Sequence, residues 1–393
     1  MPASSFEREV WARLIEPGDE AAGYLIDSLG APESLALVDR ASLRDLLREL
    51  ASVGAIDEGS SRFGNLEAAL TESLQRWRPR LSLAKQLSGL RASNGYSYSL
   101  ITDEDESWPT QLNDLGWAAP PALWVRGDIR AFEAVPSWIA IVGTRAATPY
   151  GASVTQELLR GLEASGIGVI SGGAYGIDTL VHAAALEFGV ATAAVMAGGI
   201  DRPYPLGNRD LLDRVATFGA IISEVPPATA PTKWRFLQRN RLIAALSACT
   251  VVVEAGWRSG SINTANHAEQ LGRAIGAIPG SVLDASSAGS NRLIASGQAQ
   301  LVTDASDVLS LAGIRVGSAA ATTGRQHPLF ESGGGPLETR ALDALTARSV
   351  KLSTVASSAG LTAAEASIAL ANLQLAGAAV ESNGRWRRVE SSL

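Results

Sequence analysis

The strongest chemical signal in the sequence is a short basic segment that also carries aromatic rings. Residues 231–248 read PTKWRFLQRNRLIAALSA, and the stretch KWRFLQRNR contains no acid. Its cations are Lys233, Arg235, Arg239 and Arg241. Cations can follow a phosphodiester backbone, and a ring can stack on any base, which contributes about 1–3 kcal/mol per base. As a helix, the segment places Lys233, Phe236 and Asn240 on one face. It predicts a surface for single-stranded nucleic acid; the alternative is an amphipathic helix with a solvated basic face.

A second candidate for phosphate binding is Arg145, in the segment IAIVGTRAATPYG (139–151). The apolar run predicts a buried strand, and Thr148 and Pro149 suit the N-cap and the first position of a following helix. Arg145 would then lie at the end of a strand and beside a helix N-terminus, where a guanidinium adds bidentate phosphate binding to the helix dipole. The alternative is an ion pair with a neighbouring acid.

Residues 168–178, GVISGGAYGID, predict a strand that runs into a glycine-rich turn. Ser171, Gly172 and Gly173 leave room for a ligand backbone to approach the main chain. The spacing is not G-x-G-x-x-G, and the acid that would bind a ribose is missing, so the turn does not indicate a dinucleotide cofactor. Asp178 would fall in the first turn of the next helix, where it either satisfies free N–H groups or has a functional role.

The segment VVVEAGWRSGSINTANHA (251–268) ends another strand with a glycine- and serine-containing turn. Ser259, Gly260 and Ser261 can offer hydroxyl and N–H groups to an anion at the start of a helix. Glu254 is a candidate catalytic acid. The three histidines are scattered and the chain has one cysteine, so we expect neither a metal site nor a cofactor.

The elements that position these groups alternate between short β-rich runs and amphipathic segments from residue 96 to residue 312. Such alternation requires crossover helices and predicts an α/β fold, an extended Rossmann-like, doubly wound and mainly parallel sheet. Ligands of these folds bind at the carboxyl ends of the strands. All the glycine turns described above follow strands.

The regions on either side of residues 96–312 have different sequence patterns. Residues 1–95 predict a small helical domain (SAM- or helix-hairpin-helix-like), whose stretch GYLIDSLGAPESLALV either grips phosphates or is a plain helical cap or partner surface. Residues 313–335 predict a flexible linker. Residues 336–393 predict three helices and a hairpin turning at Asn383 and Gly384, a winged-helix-like domain that binds either DNA or protein.

Composition limits the remaining classes. The chain has 393 residues, 46% of them hydrophobic, and a formal net charge of −7. This charge argues against a surface coated in cations, although a local basic groove can coexist with it. A single cysteine fits a reducing compartment, and neither a leader sequence nor a long apolar run is evident. We therefore expect a soluble cytoplasmic protein without membrane contact.

Seven motifs, in their order along residues 96–312, resemble the DNA-processing protein A (DprA, or Smf) family. They are VGTR, SGGAYGID, AGGIDRPYP, ISEVPP, KWRFLQRNRLIAALS, VVVEAGWRSGS and AIPG. The resemblance implies a Rossmann-like domain that binds single-stranded DNA, a homodimer, and transfer of protected strands to the RecA recombinase in natural transformation (competence) and DNA recombination. It also implies a helical N-terminal domain, a winged-helix C-terminal domain and no catalytic residues.

The same resemblance assigns roles to individual residues. Arg145 matches the family's phosphate-binding arginine, Gly172 and Gly173 its backbone cradle, Lys233 its pocket lysine and Phe236 its base-stacking aromatic. The competing hypothesis is a nucleoside-monophosphate phosphoribohydrolase of the lysine-decarboxylase-like (LOG) group, in which Glu254 would act at the sugar. That group's PGGxGTxxE signature is absent, because EAGWRSGS stands in its place.

Overall fold

The computed structural model describes residues 5–56, 63–90, 96–128, 130, 132, 135–314, 336–346, 349–375 and 377–389. By its contacts the chain divides into two compact units, Met1–Gly317 and Ser318–Leu393. Nearly all of the segment predicted as a linker, 313–335, lies outside the described residues. The limits of the other predicted domains stay predictions.

A nine-stranded sheet forms the centre of the first unit as far as the structure describes it. Its strands, in chain order, are β1 (Ser99–Ile101), β2 (Leu123–Gly127), β3 (Trp138–Val142), β4 (Gly168–Ser171), β5 (Ala191–Met196), β6 (Ala220–Ser223), β7 (Cys249–Val252), β8 (Ala274–Ala277) and β9 (Gln300–Leu301). They lie side by side in the order β1-β2-β6-β5-β4-β3-β7-β8-β9. Pairing is parallel from β6 to β9 in this order, and β1 and β2 are antiparallel. The predicted α/β class with a mainly parallel, Rossmann-like sheet is confirmed.

Helices precede the sheet and cover both of its faces. The N-terminal helices are α1 (Ser5–Leu14), α2 (Glu20–Leu29), α3 (Ala31–Arg40), α4 (Leu43–Ser52) and α5 (Phe63–Leu87). The helices between and after the strands are α6 (Pro149–Leu162), α7 (Ile177–Glu187), α8 (Arg209–Phe218), α9 (Lys233–Ala245), α10 (Gly260–Gln270), α11 (Ala288–Ala295) and α12 (Ala305–Leu311). None of the described helices is both long enough and apolar enough to cross a bilayer.

Each face of the sheet has its own apolar core, because side chains alternate between the faces along a strand. On one face, Ile139 of β3 and Cys249 of β7 pack with Leu158 of α6. On the other face, Val142 of β3 packs with Leu242 of α9. Burial raises the pKa of the Cys249 thiol to about 12. The two cores fix α6 and α9 on opposite faces, so that the loops at the carboxyl edge of the sheet meet between them.

The N-terminal helices pack around their own core and also contact the sheet region. Trp11 and Trp77 meet edge to face with ring centroids 5.2 Å apart. Glu16 forms an ion pair of 2.8 Å with Arg235 of α9. The predicted helix–glycine–helix segment is present as α2 and α3. Its binding role stays a prediction.

The second unit contains α13 (Pro336–Asp343), β10 (Val350–Lys351), α14 (Leu352–Ala359), α15 (Ala363–Leu375), β11 (Ala379–Ser382) and β12 (Arg385–Arg388). The three strands lie in the order β10-β12-β11. The predicted hairpin is present: Asn383 and Gly384 have φ angles of 53° and 74°, as a two-residue hairpin turn requires. The assignment of this unit as a winged helix, and its partner, stay predictions.

Candidate nucleic-acid interface

A cleft of about 730 Å³ opens at the carboxyl edge of the sheet, and α9 forms one of its walls. The loops after β3 and β7 form another part of it. The connections leave β3 in one direction towards β4 and β5, whereas β7 lies on the other side of β3. The cleft therefore lies at the switch point of the sheet, where ligands of open α/β folds bind. Of the predicted site residues, the cleft brings together Arg145, Lys233, Phe236, Arg239, Asn240, Ser259, Gly260 and Ser261.

Helix α9 presents the predicted face to the cleft. Thr232 is its N-cap, and the Thr232 side chain accepts a hydrogen bond of 3.2 Å from the N–H of Arg235. Lys233, Phe236 and Asn240 line the cleft, while Leu242 and the residues after it turn into the core. Lys233 is exposed and forms no ion pair with any described residue, so its charge is free to meet a ligand.

Phe236 is the centre of a cluster of cations and rings. The guanidinium carbons of Arg145 and Arg239 lie 4.7 Å and 5.8 Å from the centroid of its ring. The ring of Tyr204 lies 5.5 Å away at an angle of 55°. Such cation–π contacts contribute about 0.5–1 kcal/mol at exposed sites. The arrangement places a stacking surface directly beside positive charge.

Arg145 lies where the sequence predicts, after β3 and before α6. Thr148 caps α6 by accepting a hydrogen bond of 3.2 Å from the N–H of Gly151. Arg145 is exposed, and within the described part of the chain it makes no ion pair with a carboxylate. The alternative interpretation, an arginine occupied by a neighbouring acid, therefore finds no such acid here.

Arg239 lines the cleft, but it is buried and its guanidinium is already bonded. It donates one hydrogen bond of 2.7 Å to the carbonyl of Gly172 and another to the carbonyl of Val195. Burial lowers the pKa of Arg239 to about 10, and the nearby Asp178 acts in the opposite direction. Arg239 therefore adds positive potential beneath Phe236, and a direct contact of Arg239 with DNA stays a prediction.

The prediction for Arg241 needs correction. Arg241 and Glu224 form a buried bidentate ion pair with distances of 2.6 Å and 2.7 Å, and the Arg241 Nε donates to the carbonyl of Ala118. Both side chains are about 5% exposed or less, and Arg241 does not line the cleft. This arginine anchors α9 to the segments after β6 and before β2, and its guanidinium is buried away from the cleft.

Polar groups of the glycine turn already form hydrogen bonds with other residues of the protein. Ser171 is fully buried and its hydroxyl donates 2.8 Å to the carbonyl of Ile141. The N–H groups of Gly172 and Ala174 donate to the carboxylate of Asp178 at 3.2 Å and 3.3 Å. The backbone cradle predicted at Ser171, Gly172 and Gly173 is therefore not open to a ligand. None of these three residues lines the cleft.

Packing explains why glycine is required at position 172. A Cβ on Gly172 would lie 2.5 Å from the guanidinium of Arg239. Asp178, which holds the turn, is buried, and burial raises its pKa while Arg239 lowers it. The turn thus shapes the floor of the cleft by seating Arg239 and Asp178 against each other.

The turn after β7 lies where the sequence predicts it, between a strand and the start of a helix. Ser259 is the N-cap of α10, and its hydroxyl lies 2.7 Å from that of Ser261. Gly260 is exposed, and a Cβ there would meet no atom within 4 Å. Asn240 donates to the carbonyl of Gly260 at 3.3 Å, which orients its amide across the cleft. Hydroxyl and N–H groups therefore face the cations of α9.

The family model described as DNA recombination-mediator protein A matches residues 99–313. The chain belongs to this family. The match begins at β1 and ends just after α12, so it includes every element that lines the cleft. The resemblance to the DprA/Smf family is confirmed.

Relatives of the DNA recombination-mediator family extend the match. The "Putative DNA processing protein DprA" of Mycobacterium tuberculosis is 42% identical over 299 residues, which is 73% of this chain and 76% of that protein. The DprA of Streptococcus pneumoniae is 39% identical over 214 residues, 54% of this chain and 73% of that protein. Both are described as DNA-processing proteins, and DNA processing is the shared function of the family.

Two solved structures of family members agree with the fold. The X-ray structure of DprA from Streptococcus pneumoniae superposes with a TM-score of 0.59 and 29% identity, covering 79% of this chain and 98% of that chain. DprA from Helicobacter pylori superposes with a TM-score of 0.50 and 30% identity, covering 56% of this chain and 97% of that chain. The description of the Helicobacter pylori structure refers to a single-stranded DNA binding mode.

The sequence patterns do not mark Tyr204 and Arg258, although both line the cleft of this family member. Tyr204 lies within the motif AGGIDRPYP and Arg258 within VVVEAGWRSGS. The signal for Tyr204 was an aromatic in a loop that follows a strand of a parallel sheet. For Arg258, the signal was a cation beside the predicted anion-binding turn.

Proposed function

We propose that this protein binds single-stranded DNA in the cleft between α9 and the loops after β3 and β7. The observation that carries the proposal is the contact between Arg145 and Phe236, because it joins a phosphate ligand to a base-stacking ring. The Helicobacter pylori relative, whose structure is described by its single-stranded DNA binding mode, supports the same ligand. The family description, recombination mediator, supports the same process.

The side chains that line the cleft then have three kinds of role. Lys233 and Arg145 bind phosphates, since both are exposed and neither is paired to a carboxylate among the described residues. Phe236 and Tyr204 stack on bases. Asn240, on the same wall as Phe236, and Ser259, on the opposite wall, donate or accept hydrogen bonds.

Unpaired bases suit this site better than a duplex. A stacking ring needs a free base face, which a duplex hides within its own stack. The ring of Phe236 is half-buried between Arg145 and Tyr204, so only an extended strand can bring a base to it. Because the cations follow phosphates, binding should weaken log-linearly with salt.

We further propose that the bound strand is protected and handed to the RecA recombinase. In this proposal the protein acts in the cytoplasm as a homodimer, without catalysis of its own, in recombination and in natural transformation. The name of the family supports a mediator role, and it does not specify the recombinase.

The alternative, a nucleotide phosphoribohydrolase, needs an accessible Glu254. That carboxylate is buried and accepts hydrogen bonds from the N–H and the hydroxyl of Thr148 at 3.0 Å and 2.5 Å. It does not line the cleft. Glu254 holds the start of α6, and the proposal therefore assigns it a structural role.

The test is fluorescence anisotropy with labelled oligo-dT and the matching duplex, across a salt series. We expect the single strand to bind more tightly. Arg145→Ala and Lys233→Ala should each weaken binding about 10- to 100-fold and reduce the salt slope by about 0.7. Arg160→Ala is the matched control, because Arg160 is exposed on α6 and does not line the cleft. Wild-type affinity in both cleft variants would refute the proposal.

A further inference from the structure

An exposed tryptophan and an arginine form a stacked pair that no step of the proposed function uses. The guanidinium carbon of Arg292 lies 5.0 Å from the centroid of the Trp257 ring. Trp257 is nonetheless 63% exposed. Its two chain neighbours, Gly256 and Arg258, both line the cleft, and adjacent Cα atoms are about 3.8 Å apart. The backbone of Trp257 therefore lies at the rim of the cleft, and its ring is exposed beside Arg292.

Buried hydrogen bonds join the two segments that carry the pair. The N–H of Gly289 donates 2.7 Å to the carbonyl of Ala255, and the N–H of Ala255 donates 3.2 Å to the hydroxyl of Ser290. Ser290 is fully buried. These bonds join the first turn of α11 to the loop that carries Trp257. Arg292 follows in the same helix, so these bonds keep its backbone close to the loop of Trp257.

Two cations lie at this rim. Arg258 and Arg292 are exposed, and neither forms an ion pair within the residues that the structure describes. Glu254, on the same loop, is buried and bonded to Thr148. An exposed ring that contacts one unpaired cation and is next in the chain to another is suited to stacking a base beside bound phosphates.

We propose that Trp257, Arg258 and Arg292 form a second subsite for the same DNA strand. A base that leaves the cleft stacks on Trp257, while Arg258 and Arg292 bind the adjoining phosphates. This inference rests on the proposed function, since it extends the strand bound in the cleft. A protein segment that docks on the exposed ring is the competing occupant.

The experiment measures the affinity of the full chain for oligo-dT of increasing length, from about 4 to about 16 nucleotides. Trp257→Ala should leave the affinity for the shortest strands unchanged and weaken that for the longest about 5- to 100-fold. Trp257→Phe should retain most of the affinity, because a phenyl ring still stacks. Arg292→Ala should lower the salt slope by about 0.7, for long strands only.

Two controls match these variants. Phe218 is 72% exposed at the end of α8 and lies outside the cleft, so Phe218→Ala tests the loss of an exposed ring. Arg160 lies 5.3 Å from the ring of Phe188, at the end of α6 and away from the cleft, so Arg160→Ala tests the loss of a similar arginine. Neither control should change the affinity at any length.

The outcomes separate the two proposals. Should Arg145→Ala and Lys233→Ala bind every length as wild type does, the proposed function itself fails. Should these two weaken binding while Trp257→Ala matches wild type at every length, the cleft is right and the second subsite is wrong. The exposed ring is then assigned to a protein contact.

Discussion

The guanidinium carbon of Arg145 lies 4.7 Å from the centroid of the Phe236 ring. One residue follows β3 and the other belongs to the second turn of α9, so the contact exists only in the folded protein. It keeps the cation and the ring together at the mouth of the cleft. In the proposed complex, a base that stacks on Phe236 would take over part of this contact while the charge remains beside its phosphate.

Phe236→Ala removes the ring and keeps every charge. We expect affinity for oligo-dT to fall by about 1–3 kcal/mol, because one stacked base is lost. The salt slope should not change, in contrast to Lys233→Ala. Anisotropy at several salt concentrations measures both quantities. Trp234→Ala is the control, since Trp234 is 56% exposed on the same helix but does not line the cleft. Equal losses in the two variants would contradict the role given to Phe236.

Gly176→Ala tests the close packing of α7 against the loop of Arg145. Gly176 has a φ of +79°, and a Cβ there would lie 2.2 Å from the carbonyl oxygen of Thr144. Gly189 has a φ of +67° with no atom within 4 Å of such a Cβ. Both substitutions place a side chain at a positive φ, which costs about 1–2 kcal/mol in the left-handed helical region. Gly176, with a ψ of −128°, lies outside that region, so Gly176→Ala adds a larger backbone strain and also displaces the loop.

Urea unfolding should therefore show a larger loss of stability for Gly176→Ala than for Gly189→Ala. The first variant should also bind oligo-dT more weakly, because Arg145 moves with the loop, while the second binds normally. If both variants lose the same stability and bind alike, the loop is not held by this packing.

Arg241→Ala should destabilise the fold by about 3–5 kcal/mol, since Glu224 is left buried without its partner. Arg235→Ala, which breaks the partly exposed pair with Glu16, should cost about 1 kcal/mol or less. Urea unfolding measures both. The double variant Arg241→Met, Glu224→Leu should recover much of the loss. A double variant as unstable as Arg241→Ala would argue against the ion-pair explanation.

The lowered pKa of His182 predicts that the folded protein loses stability in mild acid. Burial lowers its pKa from 6.5 to about 4, with Arg239 contributing to the same direction. Between these values the unfolded chain binds a proton at His182 that the folded chain does not, so stability falls as pH drops from about 6.5 to about 4. The full effect is roughly 3 kcal/mol.

The measurement is urea unfolding at several pH values for wild type and His182→Gln. The raised pKa of Asp178 acts with the opposite sign in acid, because the folded state then holds the proton more tightly. The difference between wild type and variant isolates the histidine. Parallel stability curves for the two proteins would show that His182 does not cause the pH dependence.

Local patterns in the sequence are sufficient to predict the helices and strands around the cleft. The apolar run at 139–142 gave β3, and Thr148 and Pro149 marked the start of α6. The spacing of Lys233, Phe236 and Asn240 placed all three on one wall, because helical periodicity depends only on neighbouring residues.

Partners distant in the chain could not be predicted from those patterns. The basic neighbours of Arg241 predict a position at the surface, whereas its burial depends on Glu224, which lies on a different segment. The glycine turn predicts a free N–H at Gly172, but this N–H donates to Asp178 once α7 folds back over the turn. The sequence of a basic segment shows how many cations it contains. Tertiary packing determines which of these cations remain exposed and unpaired.

The buried thiol of Cys249 has a practical consequence for these experiments. Thiolates, not thiols, react with alkylating dyes, and a pKa of about 12 keeps this group protonated at neutral pH. It is the sole cysteine of the chain. A cysteine introduced by Ser281→Cys, at an exposed position, would therefore be labelled selectively without altering β7. Single-dye and energy-transfer measurements on the bound strand thus require one substitution.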